Sequence, residues 1–164
     1  MTFFCPNCWR ELPGMQRHCA QCGKEISAWD EKTFTDKLIQ ALSHPEPMTQ
    51  LRAVYFLGEK RASDAVEALT RLFRQSSNPF VQSEVLEAIG KIGADSARAL
   101  LVEALRYPSF IVRGEAAKAL GLFRGHRVAE QALTQALKDP SSYVRERAKE
   151  ALVRLQAIGA VIGE

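Results

Sequence analysis

From about residue 44 onward the chain repeats itself, and that repeat limits the fold more than any other feature. Aligning Thr49, Val81, Val112 and Val144 puts Gly58, Gly90, Gly121 and Val153 nine residues further on. The steps between copies are 32, 31 and 32 residues. Between these anchors run RAVYFLG, EVLEAIG, EAAKALG and RAKEALV. Each holds a small or aliphatic residue at its second place (Ala53, Val85, Ala116, Ala148). An apolar residue follows four positions later (Leu57, Ile89, Leu120, Leu152). Four-residue spacing aligns side chains on one face of a helix, so each copy holds one amphipathic helix.

A second helical pattern follows the first three copies: SDAVEALTRLF, DSARALLVEAL and RVAEQALTQAL. Gly58, Gly90 and Gly121 fall where the first helix should stop, as residues tolerant of positive φ. Asp64 and Asp95 fall at expected N-caps of the second helix. Asn78-Pro79 and Asp139-Pro140 put a cap and then a proline at a helix start. A helix pair of this size cannot bury its apolar stripe alone; stacked neighbours bury it jointly. The expected fold is all-α: about eight helices stacked as a right-handed α-α superhelix. The expected parts are a helix over 33–43, full pairs over 47–74, 79–106 and 110–138, and a half repeat over 141–156. The repeat domain spans 28–164, and a small module spans 1–27.

The stretches DPSSYVRERAKEALVRL and PSFIVRGEAAKALGLF resemble HEAT repeats, in the short form found in proteins related to phycobilin lyases. The marks are Val112-Arg113 and Val144-Arg145, followed by alanines and leucine at helical spacing. The first two copies depart from the pattern with Thr49-Gln50 and Val81-Gln82. The resemblance implies a curved solenoid whose concave face is lined by the second helix of each pair. It also implies that Arg113 and Arg145 pair with an acid or a carbonyl at a neighbouring repeat.

All four cysteines lie near the N-terminus, as Cys5-x2-Cys8 and Cys19-x2-Cys22, with ten residues between the pairs. Paired C-x2-C units read as a zinc site in a reducing compartment. Pro13-Gly14 lies between them as a turn signal, so the segment should be a small β-hairpin. Such a module is too small for a core of its own, and metal ligation would supply its folding energy. FCPNCWRELPGMQRHCAQCGKEI resembles a zinc ribbon, which implies Cys5, Cys8, Cys19 and Cys22 as ligands of one Zn2+. Trp9 stands where that pattern usually has glycine, whereas Gly23 fits the second knuckle. Four thiolates close the zinc, leaving no position for a catalytic water, so the site reads as structural.

The three histidines, His18, His44 and His126, form no His-Glu pair, so the metal-binding HEAT hydroxylases are not matched. No Gly-rich phosphate loop and no G-x-S-x-G occurs. The expectation is a chain that is not an enzyme but a cytoplasmic protein–protein interaction scaffold, without a membrane segment. Expected partner contacts are Arg71, Arg74, Arg98, Arg106, Glu130 and Lys138, while Trp9 either packs on the zinc hairpin or the first helices or serves as an exposed partner anchor. Glu67, Glu103 and Thr134 are further solvent-facing positions of the same set. A nucleic-acid module built on the ribbon and the basic C-terminal repeats is the alternative. The net charge of +3 permits it without arguing for it, and the interleaved glutamates Glu115, Glu130, Glu146 and Glu150 argue against it. Handling of a chromophore or other small molecule, as in the lyases, is a remote alternative. The apolar tail Ile158, Val161 and Ile162 should fold back over the open end of the stack.

Overall fold

The computed structural model describes residues 3–14, 16–26, 31–123 and 127–159. A small ribbon leads, in which β1 (Phe3–Phe4) pairs antiparallel with β2 (Glu11–Leu12), placing Phe4 opposite Glu11. An all-α right-handed superhelix follows, with eight α-helices among the described residues. These are α1 (Phe34–Ala41), α2 (Pro47–Glu59), α3 (Val66–Gln75), α4 (Pro79–Ile92), α5 (Arg98–Ala104), α6 (Phe110–Leu120), α7 (Arg127–Ala136) and α8 (Ser142–Gly159). The tail residues Val161 and Ile162 lie outside the described residues, as do Trp29 and His126.

Local chemistry starts the helices. Thr33 and Asp36 form a capping box at α1, each side chain accepting the other's backbone N–H. The Glu46 carboxylate accepts from Met48 N and Thr49 N at the head of α2, where Pro47 leads. Asn78 Oδ1 accepts from Phe80 N at 2.9 Å, as Asn78-Pro79 predicts for α4. Asp64 and Asp95 act otherwise than expected. They sit inside single 3₁₀ turns, Ser63–Ala65 and Asp95–Ala97, whose caps are alanines without a side-chain bond. Asp95 instead pairs with Arg98.

The helices form two unequal layers. Helices α2, α4, α6 and α8 pack extensively side by side. Helices α1, α3, α5 and α7 each pack mainly against the inner helix that follows, and touch one another little. The units are therefore four hairpins, α1–α2 through α7–α8, rather than three pairs flanked by half repeats. In a curved stack, the more closely spaced layer lies on the inside of the curve. The concave side is thus lined by α2, α4, α6 and α8, the opposite of the sequence-based assignment.

Glycines make that closeness possible. A Cβ on Gly58 would lie 2.9 Å from Ala88 Cα, one on Gly90 2.9 Å from Ala119 Cβ, and one on Gly121 2.8 Å from Ala151 Cα. Each contact joins neighbouring inner helices at the same repeat position. None of the three glycines has a positive φ; the left-handed helix end belongs to Gly93, at φ 69°. These glycines lie at helix ends as expected, but they recur because two backbones meet there and not because a positive φ is needed. Between the layers runs one continuous apolar core, with Leu57, Leu69, Phe73, Leu86, Ile89, Leu101, Leu120 and Leu133 fully buried.

Alanine normally stabilises a helix interior relative to glycine by about 1 kcal/mol. At Gly58 the added methyl meets backbone that cannot swing away. Gly58→Ala should therefore destabilise the chain by about 1–3 kcal/mol, read from urea unfolding. Gly114 provides the control. The nearest atoms to its added Cβ belong to the Tyr143 ring, a side chain that is 37% exposed and can shift where backbone cannot. Gly114→Ala should cost less than Gly58→Ala.

Candidate metal centre and binding surfaces

The four cysteines converge from two similar knuckles. In the first, Trp9 N donates to Cys5 O at 2.8 Å and Cys5 N to Arg10 O at 2.9 Å. In the second, Gly23 N donates to Cys19 O at 2.8 Å and Cys19 N to Lys24 O at 2.9 Å. The four Sγ atoms lie within 4.8 Å of one another, with Cys5–Cys22 and Cys8–Cys19 each at 3.7 Å. No disulfide joins them. A tetrahedral ion with metal–sulfur bonds near 2.3 Å requires sulfurs about 3.8 Å apart. The donor set therefore fits one tetrahedral metal.

Electrostatics in the cluster point the same way. The Lys24 N–H lowers the Cys22 thiol to about 6, despite desolvation, and Asn7 Nδ2 adds a contact at 3.5 Å. Backbone N–H groups of Cys22 and Gln21 lower Cys19 as well. The Arg10 N–H lowers Cys8, yet burial and the neighbouring thiols outweigh it and push Cys8 up to about 11. Thiols crowded this closely cannot all ionise without a cation among them, and a bound metal supplies that charge.

Trp9 and Gly23 occupy equivalent places, and both are left-handed, at φ 61° and 70°. A non-glycine residue there costs on the order of 1 kcal/mol. The first knuckle offsets this by packing. The Trp9 ring meets His44 edge-on, with centroids 4.4 Å apart. His44 is held in turn by Glu46 N donating to its Nδ1 at 3.0 Å. Gln40 Nε2 also donates to Pro6 O. The knuckle thus sits on the α1–α2 elbow, and Trp9 is half-buried rather than projecting into solvent.

Polar anchors hold the elbows that lead into α4, α6 and α8. Gln82 Nε2 donates to Ser76 O at 2.8 Å and Phe73 O at 3.3 Å. Arg113 Nη1 donates to Tyr107 O and Pro108 O, and its other nitrogens form a fork with Asp139, Nε at 2.7 Å and Nη2 at 3.0 Å. Arg145 Nη1 donates to Asp139 O and Pro140 O. Arg113 makes the pairing expected with an acid of the next repeat, whereas Arg145 bonds carbonyls of its own elbow. These bonds turn both arginines inward, away from a phosphate-contacting face.

A chain of alternating charges crosses the inner layer: Glu59–Lys91 at 2.8 Å, then Lys91–Glu87, Glu87–Lys118 and Lys118–Glu115, each at 2.9 Å. Glu87 is lowered by Lys91 and Lys118, and Lys91 is raised by Glu59 and Glu87. Glu115, the buried end, is raised by desolvation even with Lys118 beside it. Exposed pairs of this kind contribute at most about 1 kcal/mol each. Their larger effect is to neutralise the concave face internally. Sequence reading missed this chain, although Glu59, Lys91 and Leu122 share one repeat position, as do Glu87 and Lys118.

The expected partner residues occupy the outer layer. Arg71 pairs with Glu67 at 3.2 Å, and Arg74 approaches Glu103 at 3.6 Å, all exposed. Arg106 and Lys138 line one cleft of about 170 Å³ between α5 and α7, with Val102 and Ala136 in its wall. Glu130 is exposed, and its carbonyl accepts from Thr134 Oγ1. Arg98 departs from the expected set. Its side chain is only 19% exposed and lies 5.7 Å from the Phe123 ring.

Residues 35–121 and 99–161 match the family of HEAT repeats. The chain belongs to that family. Among solved structures it is similar to human deoxyhypusine hydroxylase, with a TM-score of 0.69 and 25% identity over 79% of this chain. It spans 46% of that enzyme's length. An engineered protein gives a TM-score of 0.59 and 26% identity over 80% of this chain and 68% of its own. The complex of CpcE and CpcF of phycocyanin lyase from Nostoc sp. PCC7120 gives 0.54 and 19%, covering 88% of this chain and 71% of that one. A search of curated proteins finds no match. These neighbours correct the expectation that the chain is not an enzyme: a hydroxylase and lyase subunits share its fold, so its structural relatives are catalytic. The expectation rested on missing motifs, which are a weak guide for a fold that carries chemistry on scattered repeat positions. Among the described residues, no helix is long and apolar enough to cross a membrane.

Two outcomes follow. Removing bound metal with a chelator under reducing conditions should free the first knuckle. In a Trp29→Phe background, Trp9 emission should shift to the red as its contact with His44 is lost. The Arg113–Asp139 fork, 13% and 10% exposed, is the second test. Asp139→Ala should cost about 3 kcal/mol. Arg113 keeps Asp139 below its ordinary value of 3.8. Its contribution is therefore full above about pH 4 and is lost as pH falls through the folded value. The acid unfolding limb should flatten in Asp139→Asn.

Proposed function

We propose that the chain is a protein-binding HEAT module whose N-terminal ribbon is closed by one structural Zn2+. The observation that carries the binding role is a series of large apolar side chains left in solvent at the starts of successive inner helices. Phe80 is 66% exposed, Phe110 50% and Tyr143 37%, each within the first two residues of an inner helix. A fold with room to bury apolar surface gains by burying these, and repeated exposure marks a surface kept for a partner. The lyase neighbour was solved as a complex of two chains, which agrees with such a role.

The outer-layer residues Arg71, Arg74, Arg106, Glu130 and Lys138 are the proposed polar contacts. Trp9 and Arg98 serve the chain's own packing. Zinc is proposed because it takes four thiolates in a tetrahedron without redox chemistry. The cytoplasm is the proposed compartment, because a reducing environment keeps such thiols available.

Affinity purification with cross-linking mass spectrometry tests the binding role. Captured proteins should cross-link to α3, α5 and the elbows, and should be lost when Arg71, Arg74 and Arg106 are reversed to glutamate. Retention of every partner by that variant would count against the proposed face. Elemental analysis of reduced protein should give one zinc per chain; a value well below one would refute the zinc assignment.

A further inference from the structure

Three elbows lie along one edge of the stack, and each is flanked by a cation on one helix and an aromatic ring on the next. The cations are Arg74, Arg106 and Lys138, spaced 32 residues apart in sequence, at the C-terminal ends of α3, α5 and α7. The rings are Phe80, Phe110 and Tyr143, at the N-terminal ends of α4, α6 and α8. Helix dipoles alone favour a cation at each C-terminus. They do not favour an exposed aromatic beside it in every elbow. Two of the rings adjoin, Phe110 and Tyr143 standing 6.1 Å apart and edge to face. Gly114 leaves the space that Tyr143 fills.

The charge balance of this edge is uneven. Arg106 and Lys138 make no ion pair among the described residues, and Arg74 has only the exposed contact with Glu103. The neighbouring acid, Asp139, is taken up by Arg113. Carbonyl anchors from Gln82, Arg113 and Arg145 fix each elbow, so the edge is organised before anything binds.

We propose that this edge docks an extended acidic segment of a protein partner, with acidic residues at every third position and proline between them. The inference rests on the protein-binding reading and names the partner's chemistry. A polyproline-type helix returns to the same side every three residues, about 9 Å. Packed inner helices are about 8–10 Å apart, so one turn of the segment matches one step between the aromatic helix starts. Its acids meet the cations on the outer side, and its proline rings lie on the aromatic side chains, a pairing that aromatic grooves commonly make. Single-stranded nucleic acid also uses cations and rings. It is the weaker fit, since only three cations line the edge and Glu103 stands among them.

Fluorescence anisotropy with the full zinc-loaded chain tests this. The probes are labelled peptides of repeating Glu-Pro-Pro, the same peptide with Lys for Glu, and an oligo-dT of matching length. The Glu-Pro-Pro peptide should bind best. Its affinity should drop by about tenfold or more in Arg74→Glu/Arg106→Glu/Lys138→Glu, and again in Phe80→Ser/Phe110→Ser. Thermal melts and zinc content of the variants confirm that they fold. Equal binding of the Lys peptide, tighter binding of oligo-dT, or unchanged affinity in both variants would overturn the proposal. If proteins captured from the cell still bind the triple variant, the protein-binding reading stands and only the edge assignment falls.

Discussion

The close approach of backbones along the inner layer is the constraint on which the rest depends. Gly58 against Ala88, Gly90 against Ala119 and Gly121 against Ala151 bring neighbouring inner helices together at each repeat. The outer helices touch one another little and remain apart. The difference in spacing between the layers curves the stack. It places the charge chain from Glu59 to Glu115 on the concave side. It also opens clefts between outer helices, such as the one lined by Arg106 and Lys138. The elbows then stand as a series along one edge, each fixed by a side chain that bonds its carbonyls.

The N-terminal clip solves a separate problem at the end of the stack. The segment has almost no apolar core beyond Cys5, Leu12 and Cys19. Its cohesion therefore comes from the thiolate site and its attachment from one knuckle. Trp9 accepts a left-handed backbone so that its ring can reach His44, while Gly23 adopts the same backbone in the knuckle without that contact. The departure from the ribbon pattern at Trp9 marks the knuckle that docks. The two knuckles have similar bonds but different roles.

Much of this was legible in the sequence because period and chemistry agreed there. The 32-residue repeat, the helix count, the Asn78-Pro79 cap and the clustering of the four cysteines follow from local spacing, and the bonding of Arg113 follows from the family resemblance. The misreadings have a common cause. Gly58, Gly90 and Gly121 recur at helix ends, and one sequence cannot separate a glycine needed for positive φ from one needed for a neighbouring backbone. The concave face was assigned to the wrong helices for the same reason, since layer spacing is a property of contacts between repeats. Asp64 and Asp95 look like caps, yet the chain there forms 3₁₀ turns first. Two links of the charge chain, Glu59–Lys91 and Glu87–Lys118, join residues about one repeat apart, and become apparent only once the register is known.

Native-state hydrogen exchange with residue resolution tests the central claim, that the inner layer is the spine of the fold. Inner helices α4 and α6 should exchange only through global unfolding, while outer helices α5 and α7 should open at lower free energy. Protection of α5 and α7 that equals or exceeds that of α4 and α6 would contradict it.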